Sequence, residues 1–131
     1  MTWVSVFAGF LVAHMVGDYL FQTDWQARHK RHGLGGDPVA RRALFAHVST
    51  YTLAFLPALI WIASELDVGW AVIAALLVFV PHLVVDDGRI VRVYLNRVKH
   101  VEGFDVGVAS SVDQSFHVLS LWLVALLMGA A

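Results

Sequence analysis

The sequence contains no cysteine among its 131 residues. This absence excludes disulfides, iron–sulfur clusters and thiol catalysis, and it argues against a copper(I) site, which prefers thiolate ligands. Charged residues are also scarce, at 15% of the chain, whereas 59% of the residues are hydrophobic. The length suits one domain, residues 1–131. We expect the lipid bilayer to be its main partner and expect no nucleic-acid partner.

Basic residues are missing from long stretches of the chain. All nine lysines and arginines fall within residues 28–42 and 89–99. The apolar runs outside these two segments are long enough to cross a bilayer, which takes about 20 residues in a helix. We therefore predict an all-α integral membrane protein that forms a four-helix bundle. Its predicted spans are residues 3–23, 43–63, 69–89 and 108–130.

The distribution of charge also predicts the orientation of these spans. Loops rich in lysine and arginine stay in the cytoplasm, so both basic segments should face it. The connector SELDVG, residues 64–69, has two acids and no base and fits the opposite side. Both termini should then lie on the non-cytoplasmic side. Met1 and Thr2 offer no basic n-region, so we interpret the first span as a permanent helix rather than a cleaved signal peptide.

A few single residues and one short segment support further predictions. Pro57 and Pro81 should each kink a span, because proline cannot donate the helical hydrogen bond. Residues 90–101 mix apolar and basic positions and predict either a helix at the inner interface or an extension of the third span. Asp24, Asp87 and Asp105 are interpreted as solvated residues at the interface.

The predicted spans contain histidine and aspartate, which are costly in hydrocarbon. Residues four apart lie on one face of a helix, since four steps turn about 400°. Three spans carry one histidine and one aspartate at this spacing, and the second span carries His47 with Tyr51 one turn later. The predicted cluster comprises His14, Asp18, His47, His82, Asp86, Asp113 and His117.

The order within each pair places the seven side chains at one depth. Spans one and three run inward and have the order His-x-x-x-Asp, whereas span four runs outward and has the order Asp-x-x-x-His. The aspartate therefore lies nearer the cytoplasm in each pair. From the helical rise, all seven residues lie within roughly 5–16 Å of the inner boundary.

A metal would compensate the cost of these residues. Three aspartates in the bilayer would cost roughly 8–10 kcal/mol if nothing offset them. No lysine or arginine is expected at this depth, so we expect no simple salt bridge. Imidazole and carboxylate ligands suit divalent zinc, manganese or iron. Seven donors exceed one tetrahedral site, so the cluster fits one or two ions.

Two other functions remain open at this point. Polar side chains can hydrogen-bond across membrane helices without any chemistry, as in a structural or partner-binding subunit. Chains of aspartate and histidine can also carry protons or divalent metals across a membrane. Four helices leave little room for a gated path unless the protein forms a homo-oligomer.

For an enzyme, the cluster favours metal-dependent hydrolysis of an amphiphilic ester or phosphoester, taken from the cytoplasmic leaflet. Asp86 and Asp113 are the candidate catalytic residues, because an aspartate that is not a ligand can act as general base. Two arginines just below the cluster could hold a phosphate. The candidate substrate-binding residues are Gln22, Arg89, Arg92 and Gln114.

Four segments resemble the motifs of a family of small bacterial integral membrane proteins catalogued as a domain of unknown function. They are AHMVGDYLFQTDWQARHK, LFAHVSTY, PHLVVDDGR and VDQSFH, and in this order they cover nearly the whole chain. The family usually has lysine at the position of Arg89, which keeps the charge. The resemblance carries the family's polar positions onto His14, Asp18, Gln22, Trp25, His47, Tyr51, His82, Asp86, Asp113, Gln114 and His117.

A more distant similarity is to inner-membrane proteins labelled metal-dependent hydrolases, which also place histidine and aspartate in short hydrophobic helices. The two resemblances together imply a multi-pass protein of the bacterial inner membrane. The second also favours hydrolysis, but neither implies a substrate.

Overall fold

A computed structural model describes residues 1–101, 103 and 106–131, and every regular element in them is a helix. The prediction of an all-α protein is therefore confirmed. The elements are α1 (Trp3–Met15), a π-helical segment (Val16–Leu20), α2 (Asp24–His29), α3 (Pro38–Ala54), α4 (Leu56–Glu65), α5 (Val68–Asp86), α6 (Arg89–Arg97) and α7 (Val106–Ala130).

Three or four stretches of these helices are long and apolar enough to cross a membrane. Three of them are unbroken: Trp3–Leu20, α5 and α7. The fourth is the pair α3 and α4, which meet at a bend of 50°. Within the described part of the chain, these stretches overlap the four predicted spans.

The two prolines predicted to kink their spans behave differently. Pro57 is the second residue of α4, directly after the bend at Phe55. Its missing N–H cannot reach back to the preceding turn, so a new helix begins there. Pro81 lies inside α5, which continues as a single helix to Asp86.

The two ends of the protein differ in the segments that they contain. The Met1 ammonium lies 3.9 Å from Glu65 Oε2 at the end of α4. Gly129 packs so closely on Trp3 that an added Cβ would lie 2.7 Å from the Trp3 Cβ. Both termini therefore lie at the same end as the α4–α5 connector, which we call the terminal end.

The basic segments meet at the opposite end, which we call the basic end. The His32 N–H donates to the Asp87 carbonyl at 2.9 Å, and Arg92 Nη2 lies 3.1 Å from His32 Nε2. Gly88, with φ of 81°, ends α5 and lets α6 begin in a new direction. Residues 90–101 thus contribute a separate helix, not an extension of the third span.

An apolar core fills the terminal end. Phe10 and Phe55 meet edge to face with ring centroids 5.4 Å apart, and both are fully buried. α7 packs against α1 on one side and against α5 on the other. The core ends at Tyr51, where the polar cluster begins. Its other buried members are Val6, Ala13, Leu59, Ile62, Ala74, Val78, Leu121, Val124, Ala125 and Met128.

Candidate metal centre

The π-helical segment brings the first span against α3. The Phe21 N–H donates to the Val16 carbonyl at 2.9 Å, the five-residue spacing of a π-helix. Gly17 lies against the Tyr51 ring, where an added Cβ would be 2.6 Å from Tyr51 Cδ2. Only glycine permits this approach, and it places Asp18 Oδ1 3.2 Å from His47 Nε2.

Four predicted ligands meet in one buried group, which we call the first group. It consists of Asp18, His47, His82 and Asp86, whose ligand atoms all lie within 4.8 Å of one another. His47 Nε2 is 2.9 Å from Asp86 Oδ2 and 3.1 Å from His82 Nε2. His82 Nε2 is 3.1 Å from Asp86 Oδ2 and 3.4 Å from Asp18 Oδ1.

These spacings are those of ligand atoms around one cation. A tetrahedral ion with bonds of about 2.0–2.1 Å holds its ligands about 3.3–3.4 Å apart, and an octahedral ion about 2.9 Å. The separations given above between ligand atoms of the first group span 2.9 to 3.4 Å. Asp18 Oδ1 is buried without a hydrogen bond, and the facing nitrogens of His47 and His82 cannot both donate to each other. The first group could therefore hold a metal ion.

A second group shares Asp86 with the first. It consists of Asp86, Asp113 and His117. His117 Nε2 is 3.3 Å from Asp86 Oδ1 and 3.5 Å from Asp113 Oδ2, and it makes no hydrogen bond. The two oxygens of Asp86 thus face different groups. Asp86 therefore belongs to both groups.

His14, the seventh predicted ligand, lies beside the two groups rather than within either. Its Nδ1 is 3.0 Å from the Tyr51 hydroxyl, and its Nε2 is 2.9 Å from Gln114 Oε1. One tautomer satisfies both contacts, with Nε2–H donating to Gln114 and Nδ1 accepting from Tyr51. The Gln114 amide nitrogen lies 3.4 Å from both Asp18 Oδ2 and Asp113 Oδ2. His14 and Gln114 therefore connect side chains that surround the groups.

Tyr51 fixes the orientation of a histidine in the first group. Its ring stacks on His82, with centroids 3.4 Å apart and planes 11° apart. The Tyr51 side chain is fully buried, and its hydroxyl is held by His14. Outer partners of this kind set how a ligating imidazole points at a metal.

A lysine reaches the cluster, so the prediction that no simple salt bridge forms there is wrong. Lys30 Nζ lies 2.8 Å from Asp86 Oδ2. Lys30 follows α2 and lies outside the predicted spans, but the chain turns back beneath the helices and inserts its side chain between them. The three aspartates are therefore partly compensated without any metal.

The prediction that Asp87 is solvated is also wrong, since this residue is only 2% exposed. Asp105, to which the same prediction applies, lies outside the described residues. Asp87 Oδ1 accepts from the Leu34 N–H at 2.8 Å, and the Asp87 carbonyl accepts from the His32 N–H at 2.9 Å. Asp86 and Asp87 thus face opposite ways. The first faces the cluster, and the second ties down the loop that carries Lys30.

A polar cavity of about 200 Å³ opens onto both groups. Gln22 lines it, and the Gln22 amide donates to the Asp18 carbonyl at 3.2 Å. The predicted substrate-binding residues Arg89 and Arg92 lie elsewhere, the first 3.4 Å from Asp87 Oδ2 and the second against His32. The cavity is lined by Asp18, Tyr19, Gln22, Ala27, Lys30, Arg31, Asp86, Ser110, Asp113 and Gln114.

Lys30 and Arg31 are the charged cavity residues that the sequence pattern did not indicate. Neither belongs to an apolar run or shares the spacing of the histidine–aspartate pairs. The one sequence signal for Lys30 was its place at the end of the segment AHMVGDYLFQTDWQARHK.

Residues 6–131 match the family described as a protein of unknown function, DUF3307, and the chain belongs to this family. No curated protein and no solved structure matches the chain. The family description states no activity, and a fold does not by itself determine one. The function is therefore inferred from the residues of the site.

Proposed function

We propose that this member of the DUF3307 family is a membrane-embedded, metal-dependent hydrolase that acts on an amphiphilic ester or phosphoester. The observation that carries the proposal is the two histidine–aspartate groups, one buried and one partly buried, which share Asp86 and face a polar cavity. Imidazole and carboxylate ligands favour one or two ions of zinc, manganese or iron.

The proposed topology is a four-helix bundle in the bacterial inner membrane, with both termini on the non-cytoplasmic side. The α3–α4 pair serves as one bent span. The basic segments lie at one end of the helices and both termini at the other. This arrangement fits the positive-inside rule, which keeps loops rich in lysine and arginine in the cytoplasm. The cavity then opens toward the cytoplasmic leaflet.

A divalent ion bound here would supply Lewis-acid chemistry, activating water as a nucleophile and polarising a carbonyl or phosphoryl oxygen. Asp113 is the better placed of the two candidate catalytic aspartates to move a proton. Its side chain is 19% exposed and lines the cavity, whereas that of Asp86 is 1% exposed. Asp113 would take the proton of the attacking water and return it to the leaving oxygen. Asp86 would act by holding the two groups together.

An amphiphile fits the surroundings of the cavity. An apolar groove of about 470 Å³ runs along α7 on the surface of the protein and shares Gln114 with the polar cavity. The groove is lined by Phe7, Val118, Leu119 and Trp122 besides Gln114 and Ser115. A head group in the cavity could therefore continue into an acyl chain in the groove, along about 12 Å of helix.

The apolar core argues against the transporter alternative. Between Tyr51 and the terminal end, the described core residues are all hydrophobic, including Phe10, Phe55 and Ile62. An ion leaving the cluster in that direction would meet no polar side chain among them, and such a step is costly in hydrocarbon.

Elemental analysis of the full chain, purified without chelator, tests the proposal first. We expect near-stoichiometric transition metal and turnover of an amphiphilic ester or phosphoester in mixed micelles. Asp86→Asn and Asp113→Asn should abolish turnover, whereas Asp24→Asn, at an exposed residue paired with Arg28, should not. A protein that binds no metal, and whose melting temperature does not rise with added metal, would make the cluster a hydrogen-bonded structural element.

Liposome and labelling experiments test the remaining alternatives. Metal-dependent ion flux that disappears in the Asp86→Asn and Asp113→Asn variants would place transport first. The chain has no native cysteine, so an impermeant thiol reagent can map its sides. Added from outside, it should label Ser64→Cys but not Leu34→Cys. The reverse pattern would overturn the proposed orientation.

A further inference from the structure

We propose that Lys30 is an anion-binding residue of this site, and that Asp86 holds its ammonium until a metal binds. The inference rests on the proposed metal-dependent function and adds that the site binds an anion besides the metal. This anion would carry a phosphate group and would lie in the cavity between Lys30 and Arg31.

The contacts of Lys30 place it between the metal groups and the cavity. Its Nζ lies 2.8 Å from Asp86 Oδ2, and its side chain is 14% exposed. It also lines the polar cavity of about 200 Å³. An ammonium has three donors, so a lysine here can bind either the carboxylate or a ligand in the cavity.

A metal in the first group would compete with Lys30 for the same oxygen. His47 and His82 approach Asp86 Oδ2 at 2.9 and 3.1 Å, which makes this oxygen a member of the first group. A divalent ion bonded to it and an ammonium still in contact with it would be roughly 4 Å apart and would repel each other. Metal binding should therefore release the ammonium into the cavity.

The fold holds the backbone of Lys30 in place, so that only its side chain needs to move. Thr23 and Gln26 form a reciprocal cap at the start of α2, and the Lys30 N–H donates to the Gln26 carbonyl at 3.0 Å. On the other side, Asp87 holds the loop through the Leu34 N–H at 2.8 Å. The flexible stem of lysine suits a swing from such a fixed position.

Charge in the cavity favours an anion only after metal binding. Without a metal, the cavity lining contains three aspartates, Asp18, Asp86 and Asp113, against the two cations Lys30 and Arg31. A divalent ion reverses the sign of this balance. An anion and a metal should therefore each raise the other's affinity, as linkage requires.

Binding of Mn²⁺ and phosphate to the full-length protein in neutral detergent tests this inference. Mn²⁺ affinity is measured by electron paramagnetic resonance, and phosphate binding is measured from the broadening of its ³¹P resonance by bound Mn²⁺. The two probes are inorganic phosphate and dodecyl phosphate, which separate a free phosphate ligand from a lipid-like one. The variants are Lys30→Met and Lys30→Arg. The matched control is Arg28→Met, on the preceding helix α2, where the Arg28 side chain is 73% exposed.

Lys30→Met should change the two affinities in opposite directions. Without phosphate it should bind Mn²⁺ about tenfold more tightly, because a competing cation is gone. Once loaded with Mn²⁺, it should bind phosphate about tenfold more weakly. Lys30→Arg should stay close to the wild type in both measurements, and Arg28→Met should match the wild type. Tighter binding of dodecyl phosphate would assign a lipid-like ligand, and equal binding a free phosphate. Both outcomes support the anion site.

Two results would overturn the inference, and they are distinguishable. If Mn²⁺ binds but Lys30→Met leaves both affinities unchanged, Lys30 is only a structural counter-ion and the proposed metal function survives. If no form of the protein binds Mn²⁺, zinc or iron, the metal function and this inference fail together. Lys30→Gln, which keeps a donor for Asp86, takes the place of Lys30→Met if the latter does not purify.

Discussion

The terminal end and the basic end of the same helices are held together by different interactions. At the terminal end, side chains interlock by shape, as Phe10 does with Phe55 and Gly129 with Trp3. At the basic end, the helices are joined through ring nitrogens and carboxylates, and Asp86 alone contacts residues from α3, α7 and the loop after α2.

This difference indicates which end of the proposed membrane protein is more sensitive to substitution. Lipid tails are as apolar as leucine, so burying apolar side chains between membrane helices yields little hydrophobic free energy. The terminal end should therefore tolerate changes that preserve volume. At the basic end, losing one partner leaves a charge buried without compensation, which costs far more.

The largest effect is expected from Asp86→Asn, which removes the carboxylate common to both groups. We expect loss of all bound metal and destabilisation of about 3–5 kcal/mol, because the surrounding histidines and Lys30 lose their counter-charge. Elemental analysis and thermal unfolding in detergent measure both effects. Asp113→Asn should leave the metal of the first group bound. Loss of all metal in this variant as well would show that the two groups do not bind metal independently.

A second test compares a histidine inside the first group with one beside it. His82→Ala removes a proposed ligand, and we expect its metal affinity to fall well beyond 100-fold. His14→Ala removes an outer partner, and we expect a loss of about 10–100-fold. Competition with a fluorescent chelator measures both affinities. A larger loss in His14→Ala would place His14 among the ligands and would require a different arrangement of the groups.

The sequence predicts much of the basic end because its signal is local. Histidine and aspartate are rare in apolar runs, and a spacing of four residues places them on one helix face whatever the tertiary structure. The length of the apolar runs predicted the four apolar stretches, and these two facts predicted the side chains that the two groups contain. They also placed His14 in the correct neighbourhood, although not within either group.

The unpredicted features depend on contacts between distant parts of the chain. Lys30 reaches Asp86 only because the loop after α2 turns back beneath α5, and Asp87 is buried only because this loop covers it. The π-helical segment depends on the close approach of Gly17 to Tyr51. No periodicity in the sequence reports these contacts, so the counter-ion of the cluster was missed.

A third test separates the terminal end from the site. Phe10→Ala creates a cavity in the apolar core, and we expect a loss of about 3 kcal/mol of stability. Metal affinity should stay within a few-fold of the wild type, because Phe10 packs on Phe55 in the apolar core and supplies no ligand atom. Thermal unfolding and chelator competition provide the two measurements. A large drop in metal affinity would show that packing at the terminal end also determines metal binding at the basic end.

The smallest effect is expected at the boundary between the two ends, where Tyr51 belongs to both. Tyr51→Phe keeps the ring that stacks on His82 and removes only the hydroxyl that holds His14 Nδ1 at 3.0 Å. One buried hydrogen bond is lost, so we expect about 1 kcal/mol of destabilisation. Metal affinity should fall less than in His14→Ala, because the stacked ring still orients His82. Tyr94→Phe is the matched control, since Tyr94 packs against Phe116 away from the two groups. If Tyr51→Phe weakens metal binding as much as His82→Ala does, the Tyr51 hydroxyl itself takes part in metal binding. Tyr51 then belongs to the site rather than to the apolar core.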